Sequence, residues 1–479
     1  MKISVQDRKE TAAACDALIV LLDEDTGLRP YTDLDRKLNG MLSRLVSSKE
    51  CTGQLNQASL LHTRGLIVPE RILLIGIGKT SEVTVEKLRQ AGGKASSYLK
   101  NLNIKKAALS TKLIASMKMP PTAFLEGFLL SQYSFEKYKK ERTGKLSAFT
   151  VLSNMNLSRD VRRTETIVAA ANFARDLVNT PANDMTPSVL VRHARSLKNV
   201  SVKIIDEKSA GKLGMGAYLS VARGSSEPPK FIVMTYRKKS GPPLVLIGKS
   251  ITFDSGGISL KPAKGMEKMK YDMAGGAAVL GVMKAVSALN LPLHLAAILP
   301  ATENLPGGSA SKPGDVVKTV SGKTVEIIST DAEGRLALAD AIGYARKLRP
   351  EAIIDIATLT GACSIALGNE AIAMMGNDDR LLDKIKIASD ETNEKVWHMP
   401  LFDEYGEYIK SDIADLKNSA GPSGSLVTAG YFLKQFAETV PWVHLDIAGT
   451  AWTDKDRPYI RQGATGIGVR LLMNLLESL

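Results

Sequence analysis

Three short segments hold most of the residues that could carry chemistry: GKSITFDSGGISLKP at 248–262, MKYDMAGGAAV at 269–279 and STDAEGRLALAD at 329–340. They contribute Lys249, Asp254, Lys261, Asp272, Asp331, Glu333 and Arg335. Most of these lie beside or near glycines and alanines, small residues that let backbone and ligand approach closely. Taken singly, each acid reads as a helix cap or a surface charge. Asp331 and Glu333 precede an apolar helical run from Leu336, where capping and the helix dipole favour anions. Taken together, four converging carboxylates cannot all stay ionised unless cations compensate them. Oxygen-rich donor sets suit Mg, Mn or Zn, and two metals about 3.5–4 Å apart can share a carboxylate and a water. Histidine-held single zinc is disfavoured, because none of the 5 histidines falls in these segments or forms HExxH. At this point a two-metal centre and a set of separate caps both remain open.

The wording and order of the motifs go further. ITFDSGG at 251–257, Met-Lys-x-Asp-Met at 269–273, TDAEGRL at 330–336 and ATLTGA at 357–362 form one ordered series. Together they resemble the signatures of the leucyl aminopeptidase (cytosol aminopeptidase) family, whose two-domain length fits the entire chain. The resemblance implies a metal-dependent aminopeptidase acting on short peptides with a free N-terminus. It implies two divalent cations per subunit, Mn or Zn foremost and Mg a further candidate. Lys249, Asp254, Asp272 and Glu333 are implied to bind one cation, and Asp254, Asp331 and Glu333 the other. A lysine ligand must be deprotonated, and adjacent dications supply the necessary pKa depression. Lys261 is implied to stay cationic and to stabilise the tetrahedral oxyanion. Arg335 is implied to hold a bicarbonate ion that serves as general base for the bridging water.

By the same resemblance, Thr358, Leu359 and Gly361 line the substrate cleft, and Met269 walls the pocket for the first side chain. A methionine is otherwise most often plain core. A homohexamer with active sites facing an internal cavity is implied as well. The chain departs from the family pattern twice. Ser329 stands where Asn usually precedes TDAEGR, which puts preference for the second residue in doubt. Ser250 stands where Gly usually follows the ligand lysine, and would be strained if that position required positive φ.

The elements that must position these loops alternate along the whole chain. Ala17–Leu22, Arg71–Gly76 and Lys106–Ser110 read as strands, and 83–99 and 122–133 as helices, the first weakened by Gly92 and Gly93. GIGKT at 76–80 lacks the glycine spacing of a phosphate loop and reads as a strand-to-helix turn. A long helix over 159–178 ends where Pro181 forbids continuation. Beyond it, strands at 244–248, 293–299, 353–357 and 371–375 alternate with helices at 275–289 and 336–348. The expected fold is α/β. A small N-terminal domain (1–158) and the linking helix (159–178) lead to a catalytic domain (179–479) with a mostly parallel central sheet. Such sheets bind ligands at the carboxyl ends of their strands.

Composition bounds the remaining classes. With 44% apolar and 24% charged residues in 479, the chain is an ordinary globular protein, and no uninterrupted apolar run approaches the ~20 residues of a spanning helix. No membrane role is expected. Three scattered cysteines, Cys15, Cys51 and Cys363, give no disulfide framework and point to the reducing cytoplasm. The net charge of +13 is uneven: residues 1–160 carry 25 basic and 16 acidic groups. Lys137, Lys139, Lys140, Arg142, Lys145, Arg159, Arg162 and Arg163 form the densest stretch. Such runs are usually solvated surface, and nucleic acid is the alternative partner. A two-metal phosphoesterase is the rival enzyme, although these loops lack the histidines or several arginines such sites commonly carry.

Overall fold

The computed structural model describes residues 1–102, 104–141 and 146–479. Arg142 and Lys145 of the basic stretch lie outside the described residues. The chain divides into two compact units, Met1–Val168 with Lys455–Arg461, and Ala169–Asp454 with Gln462–Leu479.

The first unit is built on six strands: β1 (Lys2–Gln6), β2 (Ala17–Leu22), β3 (Ala58–His62), β4 (Arg71–Gly76), β5 (Lys106–Ser110) and β6 (Ala148–Leu152). Their order is β1-β6-β5-β2-β4-β3, parallel except where β3 meets β4. Every residue of β2 is buried, as an unbroken apolar run inside a covered parallel sheet should be. Helices α1 (Val85–Lys100) and α2 (Pro121–Ser131) pack closely because of their glycines. A Cβ on Gly92 would lie 2.0 Å from the Phe124 carbonyl, and one on Gly127 1.8 Å from that of Arg89. The glycines that weaken the helix in sequence are therefore what lets it dock. GIGKT is a turn, with Gly78 at φ +84° and Thr80 starting a short 3-10 helix. One boundary differs from expectation: Lys455–Arg461 belongs to this unit. Tyr459 donates to Glu86 Oε2 at 3.1 Å, and the Pro458 carbonyl would lie 2.2 Å from a Cβ on Gly93.

Helix α3 (Ser158–Asn179) carries the division between units within it. The second unit holds a nine-stranded sheet: β7 (Ser201–Ile205), β8 (Lys230–Arg237), β9 (Leu244–Gly248), β10 (Ser250–Asp254), β11 (His294–Asn304), β12 (Ala352–Ala357), β13 (Ile372–Gly376), β14 (Val396–His398) and β15 (Trp442–Asp446). The order is β14-β13-β15-β12-β9-β11-β8-β7, with β10 also on β11. The centre, β15-β12-β9-β11, is parallel, and antiparallel pairs flank it. Helices α4 (Ala274–Leu289) and α5 (Glu333–Arg346) pack against this sheet and are almost entirely buried. The stretch Met266–Leu289 contains an 18-residue segment apolar enough for a spanning helix, yet 83% of that segment is buried inside the protein. The architecture is the expected α/β one, a smaller N-terminal unit and a larger unit around a mostly parallel sheet.

Candidate active site

The first turn of α4 is pressed onto the strand ends by three glycines. A Cβ on Gly275 would lie 2.0 Å from the Ile356 carbonyl, one on Gly276 2.0 Å from Ser250 Oγ, and one on Gly248 2.5 Å from Gly276 Cα. This docking sets Asp272, two residues before α4, beside Lys249, the single residue between β9 and β10. The Lys249 backbone is fixed on both sides: its N–H donates to the Ile356 carbonyl at 3.1 Å and its carbonyl accepts from Gly276 N at 2.7 Å. Ser250 is in extended β10 and absent from the residues with positive φ, so the strain conceivable there does not arise.

Asp254 ends β10, where the pairing with β11 shifts register. The chain then turns through Gly256 and Gly257 at φ +88° and +66°, a conformation that side chains oppose. Asn304, at the end of β11, ties this turn to the third motif. Its amide nitrogen donates to Asp254 Oδ1 at 2.8 Å and to the Thr330 carbonyl at 2.9 Å. The Thr330 hydroxyl donates to the Gly256 carbonyl at 2.7 Å. Glu333 opens α5, and the following Gly334 leaves room for Lys249, whose Cε would lie 2.6 Å from a Cβ there.

The side chains converge. Carboxylate oxygens of Asp254, Asp272 and Glu333, all buried, lie within 4.8 Å of one another. Lys249 Nζ is 2.7 Å from Asp272 Oδ2, 2.7 Å from Glu333 Oε1, and donates to the Thr358 carbonyl at 2.9 Å. Lys261 Nζ is 2.8 Å from Asp254 Oδ2 and also pairs with Asp331. The two ammonium groups thus divide four acids into two pairs. Asp331 is the most accessible acid, its side chain 36% exposed, and lies outside the tight triad. Burial, together with the neighbouring acids, raises the carboxyls of Asp272 and Glu333 above the ordinary range, against the pull of the lysines. Burial also raises Asp331. Burial alone would lower both lysines, but the surrounding carboxylates outweigh it and hold both above the ordinary value. A buried, cation-seeking oxygen cluster of this kind fits divalent metals, and the ammoniums are its counter-ions in this structure.

The cluster opens on a cavity of about 500 Å3, lined also by Met269, Tyr271, Thr358, Leu359 and Gly361. Thr358 has a second place in the geometry, since its hydroxyl donates to Asp272 Oδ1 at 2.7 Å. Arg335 stands apart from the cavity lining. It is buried, its Nη1 donates to the Asn418 carbonyl at 2.7 Å, and its Nε–H has no partner. Burial pulls this guanidinium down to about 10.

Three supporting residues carry no signal in the sequence because their partners are remote. Asn304 is one. Asn418 accepts from Ile328 N at 2.8 Å and donates to the Ser329 carbonyl at 2.7 Å, holding the loop that contains Ser329. Asp446, at the end of β15, accepts from Leu359 N at 3.1 Å, Thr360 N at 3.1 Å and Thr360 Oγ1 at 2.8 Å. It fixes the loop that lines the cavity.

Comparison with known proteins places this geometry. A curated relative from Geotalea uraniireducens (strain Rf4), described as a probable cytosol aminopeptidase, is 48% identical over 94% of both chains. Another so described, from Geobacter sulfurreducens (strain ATCC 51573 / DSM 12127 / PCA), is 46% identical over 100% of this chain and 99% of its own. Among solved structures, a mutant of tomato leucine aminopeptidase superposes with a TM-score of 0.89 at 32% identity, covering 100% of this chain and 97% of that one. The bottromycin maturation enzyme BotP, solved in complex with Mn, gives 0.87 at 30% identity over 97% and 99%. The N-terminal domain of the cytosol aminopeptidase family matches residues 19–142 and its catalytic domain residues 172–473, so this chain is a peptidase that belongs to the cytosol aminopeptidase family.

Proposed function

We propose that the protein is a leucyl-type aminopeptidase that holds two divalent cations and removes the N-terminal residue from short peptides. The observation that carries this is the convergence of Asp254, Asp272 and Glu333, with Lys249 and Lys261 inserted among them, on one cavity. Asp254, Asp272, Glu333 and Lys249 would hold one cation, and Asp254, Asp331 and Glu333 the other. When bound, such ions supply Lewis acidity and lower the pKa of water. Mn is favoured by the oxygen-rich donors and by the Mn complex of BotP, with Zn or Mg as alternatives.

The residues of the chain do the rest. Thr358 orients Asp272 through its hydroxyl. Lys261, side chain 21% exposed against 3% for Lys249, is the ammonium that can reach a substrate carbonyl and stabilise its oxyanion. Met269 would face the first side chain, and Thr358, Leu359 and Gly361 the peptide backbone. The unpartnered Arg335 Nε–H is the donor that would hold bicarbonate, the ion assigned to proton removal from water. A phosphoesterase is less well supported, since no histidine is among the described residues that line the cavity. We place the enzyme in the cytoplasm on its three buried free thiols. We assign it as a homohexamer, to be checked by sedimentation at six chain masses.

The free amine is the test. A substrate amine belongs beside the carboxylate cluster, so leucyl peptides should turn over and N-acetyl-leucyl peptides should be very poor substrates. Comparable turnover of the two would sink the aminopeptidase reading.

A further inference from the structure

Four lysines stand in ten residues of the segment 261–270, and three of them are spoken for. Lys261 pairs with Asp254 and Asp331. Lys268 pairs with Asp454 at 2.7 Å. Lys270 donates to the Asn179 carbonyl at 3.0 Å and lies 5.7 Å from the centre of the Trp452 ring. Lys264 is exposed, makes no ion pair or hydrogen bond among the described residues, and lines the cavity that holds the acid cluster. It sits on the short connection between Lys261 and the 3-10 helix Met266–Tyr271, just before Gly265 at φ +86°. Met266 and Met269 of that helix line the same cavity. The connection is therefore tethered at both ends to the site.

We infer that Lys264 is a specificity residue that receives the C-terminal carboxylate of a di- or tripeptide, making free-acid short peptides the preferred substrates. This rests on the aminopeptidase reading. A short peptide is a zwitterion, and the cavity presents both complements: carboxylates at the cluster and an uncompensated cation on another part of its wall. The lengths agree. Lys264 follows Lys261 by three residues, so their Cα atoms are at most about 10 Å apart. A carboxylate one or two residues beyond the scissile bond lies about 3–7 Å further along an extended peptide, within reach of a lysine tethered so close to Lys261. Lys268 is a poorer candidate, because Asp454 already neutralises it.

The test compares leucyl-glycine and leucyl-glycyl-glycine with their C-terminal amides, in wild type and in Lys264→Gln, Lys264→Arg and Lys264→Glu. An exposed ion pair is modest, so wild type should favour the free acid in kcat/KM by about two- to five-fold at low salt. That ratio should shrink as salt screens it, fall towards one in Lys264→Gln, persist in Lys264→Arg and invert in Lys264→Glu. The same ratio in all four proteins overturns the inference while leaving aminopeptidase activity intact. Absence of turnover on both acids and amides would instead overturn the aminopeptidase reading, and this inference with it.

Discussion

At the scale of single residues, two lysines with the same sequence chemistry sit in different electrostatic positions. Lys249 is enclosed by Asp272, Glu333 and the Thr358 carbonyl, whereas Lys261 is at the accessible edge with Asp254 and Asp331. If Lys249 is a ligand as proposed, Lys249→Ala should lower metal content. Lys261→Ala should leave metal content nearly intact and lower turnover by about 100–1,000-fold. Metal analysis with steady-state kinetics decides this, and the reverse pattern would show the roles exchanged. Gly334 extends the same argument. A methyl group there would lie 2.6–2.9 Å from Lys249 Cε, Nζ and Cδ, displacing the proposed ligand. Gly334→Ala should resemble Lys249→Ala, with a folded circular dichroism spectrum, reduced metal content and kcat/KM down by about 100-fold, the usual scale for small misplacements. Full metal content and activity in Gly334→Ala would mean that Lys249 is not held where the structure has it.

At the scale of elements, Asp340 shows what joins α5 to its surroundings. It is fully buried, accepting from Tyr218 N at 2.8 Å and Val320 N at 2.7 Å. Burial raises its carboxyl to about 7. An acid whose folded pKa lies above its unfolded value stabilises the fold fully below the unfolded value and loses that contribution as pH rises through the folded one. The window here runs from about pH 4 to 7, and the change is on the order of 4 kcal/mol. Wild type should thus melt well above Asp340→Ala near pH 4.5, and the gap should narrow by pH 8. Calorimetric scans at the two values check it. A gap that is constant or widens with pH would mean that Asp340 ionises as an ordinary acid. Asp446 does comparable work at the end of β15, where its carboxylate fixes the backbone of the Leu359–Thr360 loop.

At the scale of the whole molecule, the charge excess of residues 1–160 is a feature that peptidase chemistry does not use. Lys137, Lys139 and Lys140 are exposed, and Lys137 lies 5.1 Å from the centre of the exposed Tyr138 ring. If this stretch contacts nucleic-acid phosphates, a gel shift should appear at low salt, weaken steeply as salt rises, and weaken again when the three lysines become glutamines. No shift even at low ionic strength would return the stretch to ordinary solvated surface.

The sequence by itself determined the class of fold and named the candidate members of the site. Apolar runs such as Ala17–Leu22 and Leu244–Gly248 became strands at those same residues, because an unbroken apolar run of that length must be covered on both faces. The ligand candidates were legible because the chemistry needs unusual residue types in glycine-rich loops. Helix ends were less legible: 83–99 became Val85–Lys100, and the helix expected from Leu336 begins at Glu333. The return of Lys455–Arg461 to the N-terminal unit was not legible at all. Only the tertiary structure decided which groups hold the candidate ligands in place. Asn304 reaches Asp254 across 50 positions, Arg335 Nη1 reaches the Asn418 carbonyl across 83, and Asp446 reaches Leu359 across 87. The physical reason is that a local pattern records periodicity and backbone need. A hydrogen bond between remote loops leaves no periodic trace, and exists only once the sheet has brought its strand ends together.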